Sequence, residues 1–549
     1  MRQRLIGVFS VLFLLFLCSC GPGADKNDKR QVFNYNELNG VTSLDPAAAT
    51  NFENIWAVNQ IFNGLVQMDD SLKVIPCIAR NYSVSANGLE YTFALRSDVF
   101  FHDNPCFENG KGRRVRSDDF VFSFNRLFDS KVSSALSLLE NIDREQTSAL
   151  NGFAAPNDST FKIYLKQPFS AFANILTMKY FSVIPREAIR AYGDDFRKQP
   201  VGSGPFVFKT WNEGTKLVLL KNNNYFERDS RNVRLPYLDA VTISFIRDRE
   251  TAFMELLNGK FDMVSGADAF NTNEVLDREG NLRDVYQKKF YLQKEPFLKT
   301  DYIGILIDEN LDIVKKSPLK LKAIRQAINY AFDRRKMIRY LRNNLGIPAT
   351  AGFIPSGMRS FDTSKVKGYS YQPQKVKTLL AEAGFPRGKG LPELTLYVSD
   401  NFKEQVEFIQ SQLAQNNIKV QISIEKASVL RQAVNNGEFL LFKKSWVADY
   451  PDEENFMSLF YSKNFSPKGV NYFHYKSSEF DVLFERAVKE TDPVLKQTLY
   501  QRMDSLVMSD APVIPLYYDE VVRIVSHKVS GLTSNPMNFL NLKTVRKNY

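Results

Sequence analysis

Histidine is scarce in this chain of 549 residues, and its scarcity limits the chemistry that we expect. His102, His474 and His527 are the three histidines, and each lies alone in a different kind of segment. Histidine is the usual general base at neutral pH and the commonest metal ligand. We therefore expect a structural role for each of the three, with no metal ion and no cofactor bound.

Cysteine is also rare, and the four cysteines include no Cys-x-x-Cys pair. Neither a zinc ribbon nor a thioredoxin-type site is therefore indicated. Motifs for nucleotide phosphate binding, zinc proteolysis and dinucleotide binding are missing too, and Gly202-Ser203-Gly204 is one position too short for a nucleophile elbow. The sequence predicts a protein that is not an enzyme.

Long apolar runs are missing apart from residues 5–17. That run is too short to cross a bilayer, which takes about 20 apolar residues, so multi-pass transport proteins are excluded. The charge excess is modest for a large surface: 72 Lys and Arg against 61 Asp and Glu give a net +11. The basic run at 111–116 has no interleaved aromatic residues and is typical of a solvated loop, so we expect no nucleic-acid partner.

What is present indicates a large folded body. The length predicts two to four domains or lobes, and 13% aromatic with 24% charged residues argues against long disorder. Residues 82–96 predict a hairpin and 160–165 a strand, whereas beyond about residue 300 strands alternate with helices. The first half is therefore largely β, and the second contains a βαβ unit.

The N-terminus has the features of an export signal. Arg2 and Arg4 precede the apolar run, which ends in Leu17-Cys18-Ser19-Cys20. This resembles the bacterial lipobox, which implies a lipoprotein signal peptide at 1–19, a lipid with palmitate-type acyl chains on Cys20, and a flexible tether over 20–30. An ordinary signal peptide or a short anchor is the alternative.

Export leaves Cys77 and Cys106 in the folded body. In an oxidising envelope they can pair and close a loop of about thirty residues. Separate buried thiols are the other possibility, and the sequence leaves both open.

Nine segments in the mature chain occur in an order typical of one protein family. They read SLDPA at 43–47, IFNGLV at 61–66, LEYTFALRSDVFFHD at 89–103, SDDFVFSFNRLFD at 117–129, VGSGPFVFKTW at 201–211, LLNGKFDM at 256–263, IRQAINYAFDRRKMI at 324–338, VKTLLAEAGFP at 376–386 and SWVADYPDEENF at 445–456. Together they resemble the extracytoplasmic solute-binding proteins of peptide ABC transporters.

The resemblance implies an α/β fold of the periplasmic-binding-protein type, with two lobes, an inserted β-rich subdomain and a hinge. Lobe I would comprise 31–75, 195–300 and 510–549, the insert 76–194, and lobe II 301–509. Two crossings, near Tyr302 and near Val513, would form the hinge.

The implied function is the capture of an extended peptide in the closing cleft and its delivery to the permease subunits of an ABC importer. Asp449 would pair with the peptide's α-ammonium, or else cap the next helix. Trp446 would border the ligand or pack in the core, and the same two alternatives apply to Tyr450 and Tyr518. The protein would act as a monomer, lipid-anchored to a bacterial membrane in the cell envelope, facing the periplasm or the exterior.

Some positions depart from the family's pattern. The loop at 102–116 is longer than usual, Ala427 stands where oligopeptide-binding members often have a second tryptophan, and Ser133-Ser134 replaces an aromatic. Peptide length and composition therefore stay open, as does an oligosaccharide ligand, because aromatics stack on sugars. An envelope hydrolase and a surface receptor or adhesin on the same fold are alternatives of other classes.

Overall fold

The computed structural model describes residues 30–133, 135–146 and 149–548. The predicted signal peptide, Cys20 and nearly all of the tether lie outside the described residues, as does Ser134. The strands are β1 Val32–Asn36, β2 Val66–Met68, β3 Val74–Pro76, β4 Ala79–Val84, β5 Glu90–Leu95, β6 Phe153–Asn157, β7 Thr160–Tyr164, β8 Phe206–Asn212, β9 Lys216–Lys221, β10 Ala240–Ser244, β11 Met263–Ser265, β12 Phe290–Ile305, β13 Ile347–Pro348, β14 Leu394–Ser399, β15 Val420–Glu425, β16 Leu441–Val447, β17 Val513–Ser526, β18 Val529–Ser530 and β19 Arg546–Lys547.

The α-helices cover both halves of the chain. They are Phe52–Ile61, Ser117–Asn125, Phe172–Ile175, Arg186–Tyr192, Arg249–Leu257, Thr272–Val275, Asp284–Gln287, Asp312–Lys315, Lys322–Tyr330, Arg334–Leu341, Pro373–Glu382, Lys403–Gln415, Ala427–Asn435, Glu454–Met457, Ser478–Ala487 and Pro493–Asp510. Among the described residues, no helix has the length and apolar character that crossing a bilayer requires.

One large sheet runs through the molecule in the order β15-β14-β16-β12-β17-β11-β1-β10-β9-β8, with β13 beside β17. Parallel pairs lie towards both ends of the sheet, β14 with β15 and β16, and β1 with β10 and β11. The long antiparallel pair β12 and β17 joins the two parts. Its pairing is irregular between Pro296 and Tyr302, the region in which the sequence predicts one hinge crossing.

A separate four-stranded sheet, β4-β5-β7-β6, lies between residues 79 and 164. Alternation of apolar and polar residues explains its local structure, because Tyr91, Phe93 and Leu95 of β5 are buried while their neighbours are half-exposed. The hairpin and the strand that the sequence predicts here are both present.

Gly202 and Gly204 lie in the segment between the insert and β8, and both come close to the backbone of Ile61. A Cβ on Gly204 would lie 2.4 Å from the carbonyl carbon of Ile61, the last residue of the helix Phe52–Ile61. The buried His102 ring lies nearby, with Nε2 2.9 Å from the Gly204 carbonyl oxygen. A side chain at Gly204 would push these segments apart, so the VGSGPF segment is explained by packing.

The βαβ unit predicted in the second half is present, since β14 and β15 are parallel and the helix Lys403–Gln415 connects them. Asp333 caps the helix Arg334–Leu341 by accepting a hydrogen bond from the Lys336 backbone N–H. This helix ends at Leu341. The reason is the left-handed backbone of Asn343 and Asn344, with φ of 46° and 55°.

Cys77 and Cys106 are free cysteines, so the structure does not contain the disulfide considered from the sequence. Cys77 is buried, and its burial, with Glu227 nearby, raises the pKa of its thiol to about 12. Cys106 is half-buried, and burial together with Glu187 raises its pKa to about 11. The alternative of separate thiols is therefore the one that the structure shows.

Candidate functional site

The candidate site lies where β16 ends. β16 lies between β14, which runs parallel to it, and β12, which runs antiparallel. Asp449 comes two residues after the strand's last residue, Val447. Open α/β sheets commonly bind ligands beyond the carboxyl ends of their strands.

Asn455 fixes the geometry of this loop. Its side-chain Oδ1 accepts hydrogen bonds from Trp446 Nε1 at 2.9 Å and from the Asp449 backbone N–H at 3.2 Å. Its Nδ2 donates to Asp449 Oδ2 at 3.4 Å. Asn455 is itself buried, so one amide orients both sequence-predicted residues. Sequence reasoning missed it, although it belongs to the same SWVADYPDEENF segment.

The carboxylate of Asp449 is not used to cap the next helix. Glu453, which precedes the helix Glu454–Met457, makes no side-chain capping hydrogen bond, and the carboxylate that accepts from the Glu454 backbone N–H is that of Asp452, at 3.1 Å. Asp449 also has no ion-pair partner among the residues that the structure describes. Its charge is therefore available to a ligand.

The surroundings of Asp449 disfavour the charged form of its carboxyl. The residue has an exposed surface, but the protein around it desolvates the charged form and raises the pKa of its carboxyl above the ordinary value, partly offset by Asn455. Burial, and then the neighbouring Asp449, also raise the pKa of Tyr472. A desolvated carboxylate without a cation is suited to binding an ammonium group.

The three aromatic candidates occupy different positions. Trp446 is half-buried, and its indole N–H donates to the same Asn455 oxygen as the Asp449 backbone N–H. Tyr450 is 5% exposed, packs in the core of the N-terminal half and donates its hydroxyl to Glu454. Tyr518 is fully buried and donates its hydroxyl to the Gly352 carbonyl at 2.7 Å. Tyr518 therefore belongs to the core and leaves the set of candidate ligand contacts, and Tyr450 packs in the core as well.

Sequence reasoning did not select two cations near this loop, Lys444 and Arg431. Lys444 precedes Trp446 by two residues on β16, so both side chains lie on one face of the sheet. Lys444 Nζ lies 3.1 Å from the centroid of the Tyr472 ring. Burial, and then the nearby Arg431, lower the pKa of Lys444 to about 7. The alternation along β16 was the available signal for Lys444.

Acidic residues lie at strand ends in the other part of the large sheet. Glu37 follows β1, and Asp268 follows β11, its parallel neighbour. Burial raises the pKa of Glu37 to about 8, and Glu53 and Asp268 add repulsion. This edge therefore has an acidic character, again at the carboxyl ends of parallel strands.

The insert contacts the second half beside the Asp449 loop. The Ser170 backbone N–H donates to the Val488 carbonyl at 2.9 Å, and Lys496 Nζ donates to Ser170 Oγ at 2.9 Å. Lys496 also pairs with the buried Asp452 at 2.6 Å. A cavity of about 480 Å³ adjoins these contacts, lined in part by Tyr91. The loop that carries Asp449 is thus tied to the insert through Asp452.

Comparison with known proteins identifies the family to which this architecture belongs. The family model for bacterial extracellular solute-binding proteins, family 5 (middle region), matches residues 73–468. The chain belongs to this family. A glutathione-binding protein, GsiB of Pectobacterium atrosepticum, is 30% identical over 505 residues, covering 90% of both chains.

Solved structures of the family have the same fold. The periplasmic binding protein DppA of Helicobacter pylori, in complex with the peptide STSA, is 25% identical, covers 95% of this chain and 100% of its own, and superposes with a TM-score of 0.75. HbpA2 of Haemophilus parasuis is 23% identical, with a TM-score of 0.79 and coverage of 94% and 100%.

These comparisons confirm the two-lobed α/β fold predicted from the sequence. The protein is an extracytoplasmic solute-binding protein of the peptide ABC-importer type.

Proposed function

We propose that this protein captures short peptides through their free α-ammonium group at Asp449 and delivers them, chemically unchanged, to the permease of an ABC importer. The observation that carries the proposal is the Asp449 carboxylate, which Asn455 orients and which has no cationic partner among the described residues. The relatives support a small peptide ligand, since one binds glutathione and another holds a four-residue peptide.

The test combines one substitution with one change of the ligand. Asp449→Asn keeps the size and hydrogen-bonding shape of the side chain and removes its charge. Breaking one partner of a buried ion pair costs roughly 3 to 5 kcal/mol, which is about two to four decades of affinity. A peptide with a free amine should lose that much, whereas its N-acetylated form should bind wild type weakly and lose little more.

Calorimetric titration of both proteins with both peptides measures this coupling, and Asp312→Asn, an exposed aspartate of the second half, is the charge-matched control. Equal losses for both peptides would mean that Asp449 shapes the loop. Unchanged affinity for both would remove Asp449 from the site. Binding of oligosaccharides instead of peptides, or cleavage of peptides or esters by the pure protein, would favour the other functions considered from the sequence.

The N-terminal predictions complete the proposal. Cys20 would carry the lipid that tethers a monomer to the membrane, with residues 1–19 removed and 20–30 as the tether. Cys20→Ser should abolish incorporation of a fatty-acid probe, and Cys18→Ser should not. Label that persists in Cys20→Ser and vanishes in Cys18→Ser would overturn the assignment.

The lobes would divide as lobe I at 31–75, 195–300 and 510–549, the insert at 76–194 and lobe II at 301–509, with closure about β12 and β17. The division is supported by the sheet, in which β12 and β17 join two parts that are each built around parallel strands. Small-angle scattering with and without peptide should show a decrease in radius of gyration on binding.

A further inference from the structure

The positive charge of this protein is concentrated in one segment of its second half. Residues 312–390 contain 17 Lys and Arg against 4 Asp and Glu, a net +13, whereas the other 470 residues contain 55 against 57, a net −2. The whole excess of +11 therefore comes from this segment. Like charges that are held together repel one another, so a partner of opposite charge is what such a concentration favours.

The segment folds into helices of a single layer. The helices Lys322–Tyr330, Arg334–Leu341 and Pro373–Glu382 bury their apolar side chains in one core cluster, together with one face of β14. Helices that pack on the same face of a sheet direct their polar sides to the same exterior. The exposed cations of the three helices therefore lie on one outer surface of the protein.

The ends of these helices meet, which brings their cations closer together. The Gln372 backbone N–H, at the start of the third helix, donates to the carbonyl of Tyr330 at the end of the first, at 3.0 Å. The guanidinium of Arg334, which begins the second helix, donates to the Tyr369 carbonyl at 3.3 Å. The first turns of the second and third helices are thus held beside the end of the first.

The turn after the third helix contacts the same region. A Cβ on its Gly388 would lie 2.3 Å from the carbonyl oxygen of Asn417, just after the helix Lys403–Gln415. Gln412 of that helix accepts a hydrogen bond from the Asp333 backbone N–H at 2.6 Å. The turn and the start of the second helix are therefore joined through one helix end.

Seven exposed cations on these helices and this turn form a surface that we call the basic face. They are Arg335, Lys336, Arg339, Lys375, Lys377, Arg387 and Lys389. No carboxylate within the described ranges lies at ion-pair distance from any of them. Their charges are therefore not compensated by the fold.

An exposed tyrosine lies among these cations. Tyr340 is 66% exposed, follows Arg339 directly and comes one helical turn after Lys336. Tyr371, just before the third helix, is also exposed. Tyrosine next to Lys and Arg is the composition found at membrane–water interfaces, where the ring enters the headgroup region and the cations meet lipid phosphates. This pairing favours a lipid surface over a dissolved anion.

We propose that the basic face binds the anionic headgroups of a phospholipid bilayer, so that the protein lies against the membrane through the helical layer of its second half. The proposed lipid on Cys20 would assist this contact, because a tether of ten residues spans at most about 35 Å and keeps the body near the bilayer. The contact itself requires neither the lipid nor a bound peptide, so it goes beyond the proposed function.

The experiment uses residues 21–549 without acyl chains, so that any binding to lipid comes from the protein surface. Sedimentation compares vesicles of phosphatidylcholine alone with vesicles of phosphatidylcholine and phosphatidylglycerol in equal parts. The protein should bind the mixed vesicles and not the neutral ones. Added salt should weaken the binding, because exposed charges are screened.

Two variants remove cations from different parts of the basic face. Each Lys or Arg near an anionic bilayer contributes about 5-fold to binding, so Arg335→Gln/Lys336→Gln/Arg339→Gln should weaken binding to the mixed vesicles by roughly 100-fold. Arg387→Gln/Lys389→Gln should weaken it by about 25-fold on the same basis. The second variant tests the proposal even if the first does not fold.

The matched control removes three positive charges elsewhere. Lys209, Lys216 and Lys288 are exposed lysines outside 312–390, and none has an ion-pair partner in the part of the chain that the structure describes. Lys209→Gln/Lys216→Gln/Lys288→Gln has the same net charge as the first variant. It should change vesicle binding by less than about 3-fold, since only cations near the bilayer contribute.

A second readout locates the contact. Tyr340→Trp places a fluorophore in the basic face, and Val285→Trp places one at a position that is 72% exposed in the first half. Brominated lipids quench tryptophan on contact. The fluorescence added by Tyr340→Trp should be quenched by brominated mixed vesicles, and the fluorescence added by Val285→Trp should not.

Equal binding to neutral and mixed vesicles, or binding to neither, would overturn the proposal. Equal losses in the basic-face variants and the control would do the same, as would quenching that does not distinguish Tyr340→Trp from Val285→Trp. If the mixed vesicles bind the first variant like wild type while the permease binds it less tightly, the basic face recognises a protein and the lipid assignment is wrong. Peptide titration of Asp449→Asn tests the proposed function separately, because vesicle binding is measured without peptide.

Discussion

The ion cluster at the junction of the two sheet halves gives the sharpest stability prediction. Lys443 and Asp301 have fully buried side chains joined at 2.5 Å. Lys299 lies 3.3 Å from the other oxygen of Asp301 and 2.8 Å from Asp519, and Arg342 pairs with Asp519 at 2.7 Å. These residues connect β12, β16 and β17.

The two lysines determine the pKa of the buried Asp301 carboxyl. Burial tends to raise the pKa of Asp301, but Lys299 and Lys443 outweigh it and hold that pKa below its usual range. Asp301→Asn is nearly isosteric but removes the charge that compensates Lys443, whose other hydrogen-bond acceptor is the Lys444 carbonyl at 3.1 Å. Removing one partner of a buried pair costs roughly 3 to 5 kcal/mol, much of it from the charge left behind.

Lys443→Met should cost less, about 1 to 2 kcal/mol, because Asp301 keeps Lys299. The double variant Asp301→Asn/Lys443→Met should be more stable than Asp301→Asn alone, since no unpaired cation stays buried. The expected coupling energy is about 2 kcal/mol or more. Urea unfolding followed by tryptophan fluorescence measures all four proteins, with Asp312→Asn as the exposed control. A loss below about 1 kcal/mol for Asp301→Asn, or strict additivity in the double variant, would refute this reasoning.

Three further predictions concern the framework and are measured by urea unfolding. Burial lowers the pKa of His102 from 6.5 to about 4, so on acidification the unfolded chain binds a proton before the folded protein does. Wild type should therefore lose up to about 3 kcal/mol of stability between pH 7 and pH 4, a loss that His102→Gln should not show. Parallel pH profiles of the two proteins would contradict this. Gly204→Ala, whose Cβ would meet the Ile61 carbonyl carbon at 2.4 Å, should cost at least about 3 kcal/mol, and a neutral effect would show that the backbone yields. Asp504→Ala removes the acceptor of the buried Phe353 N–H at 2.6 Å and should cost about 2 to 4 kcal/mol, unlike a surface substitution, which would change stability by less than about 0.5 kcal/mol.

Local structure was predictable wherever one face of an element is buried. The alternation of Tyr91, Phe93 and Leu95 predicted β5 because the other face stays more open to solvent. β12 shows the limit of that reasoning, since it has 16 residues, and its two ends pair within different parts of the sheet. Strand order depends on partners far apart in sequence, which periodicity does not encode.

The site was predictable only in part, and for the same reason. Resemblance indicated Asp449 and Trp446 as candidates, but the buried Tyr518 donates its hydroxyl to Gly352, 166 residues away. Whether a charged residue is paired is likewise a long-range property, as Asp301 and Lys443 are 142 residues apart. Sequence reasoning identifies charged residues, and the fold determines which of them have partners.

Lys443 and Lys444 show that difference on a single strand. They are adjacent on β16 and therefore project from opposite faces of the sheet. Lys443 is buried and has an acid of its own, Asp301, so its charge is compensated within the protein. Lys444 is partly enclosed and has an aromatic face and a second cation beside it, but no acid within the described residues. An apolar side chain in its place would avoid that electrostatic cost. The fold therefore compensates the charge of Lys443 and leaves that of Lys444 without an acid.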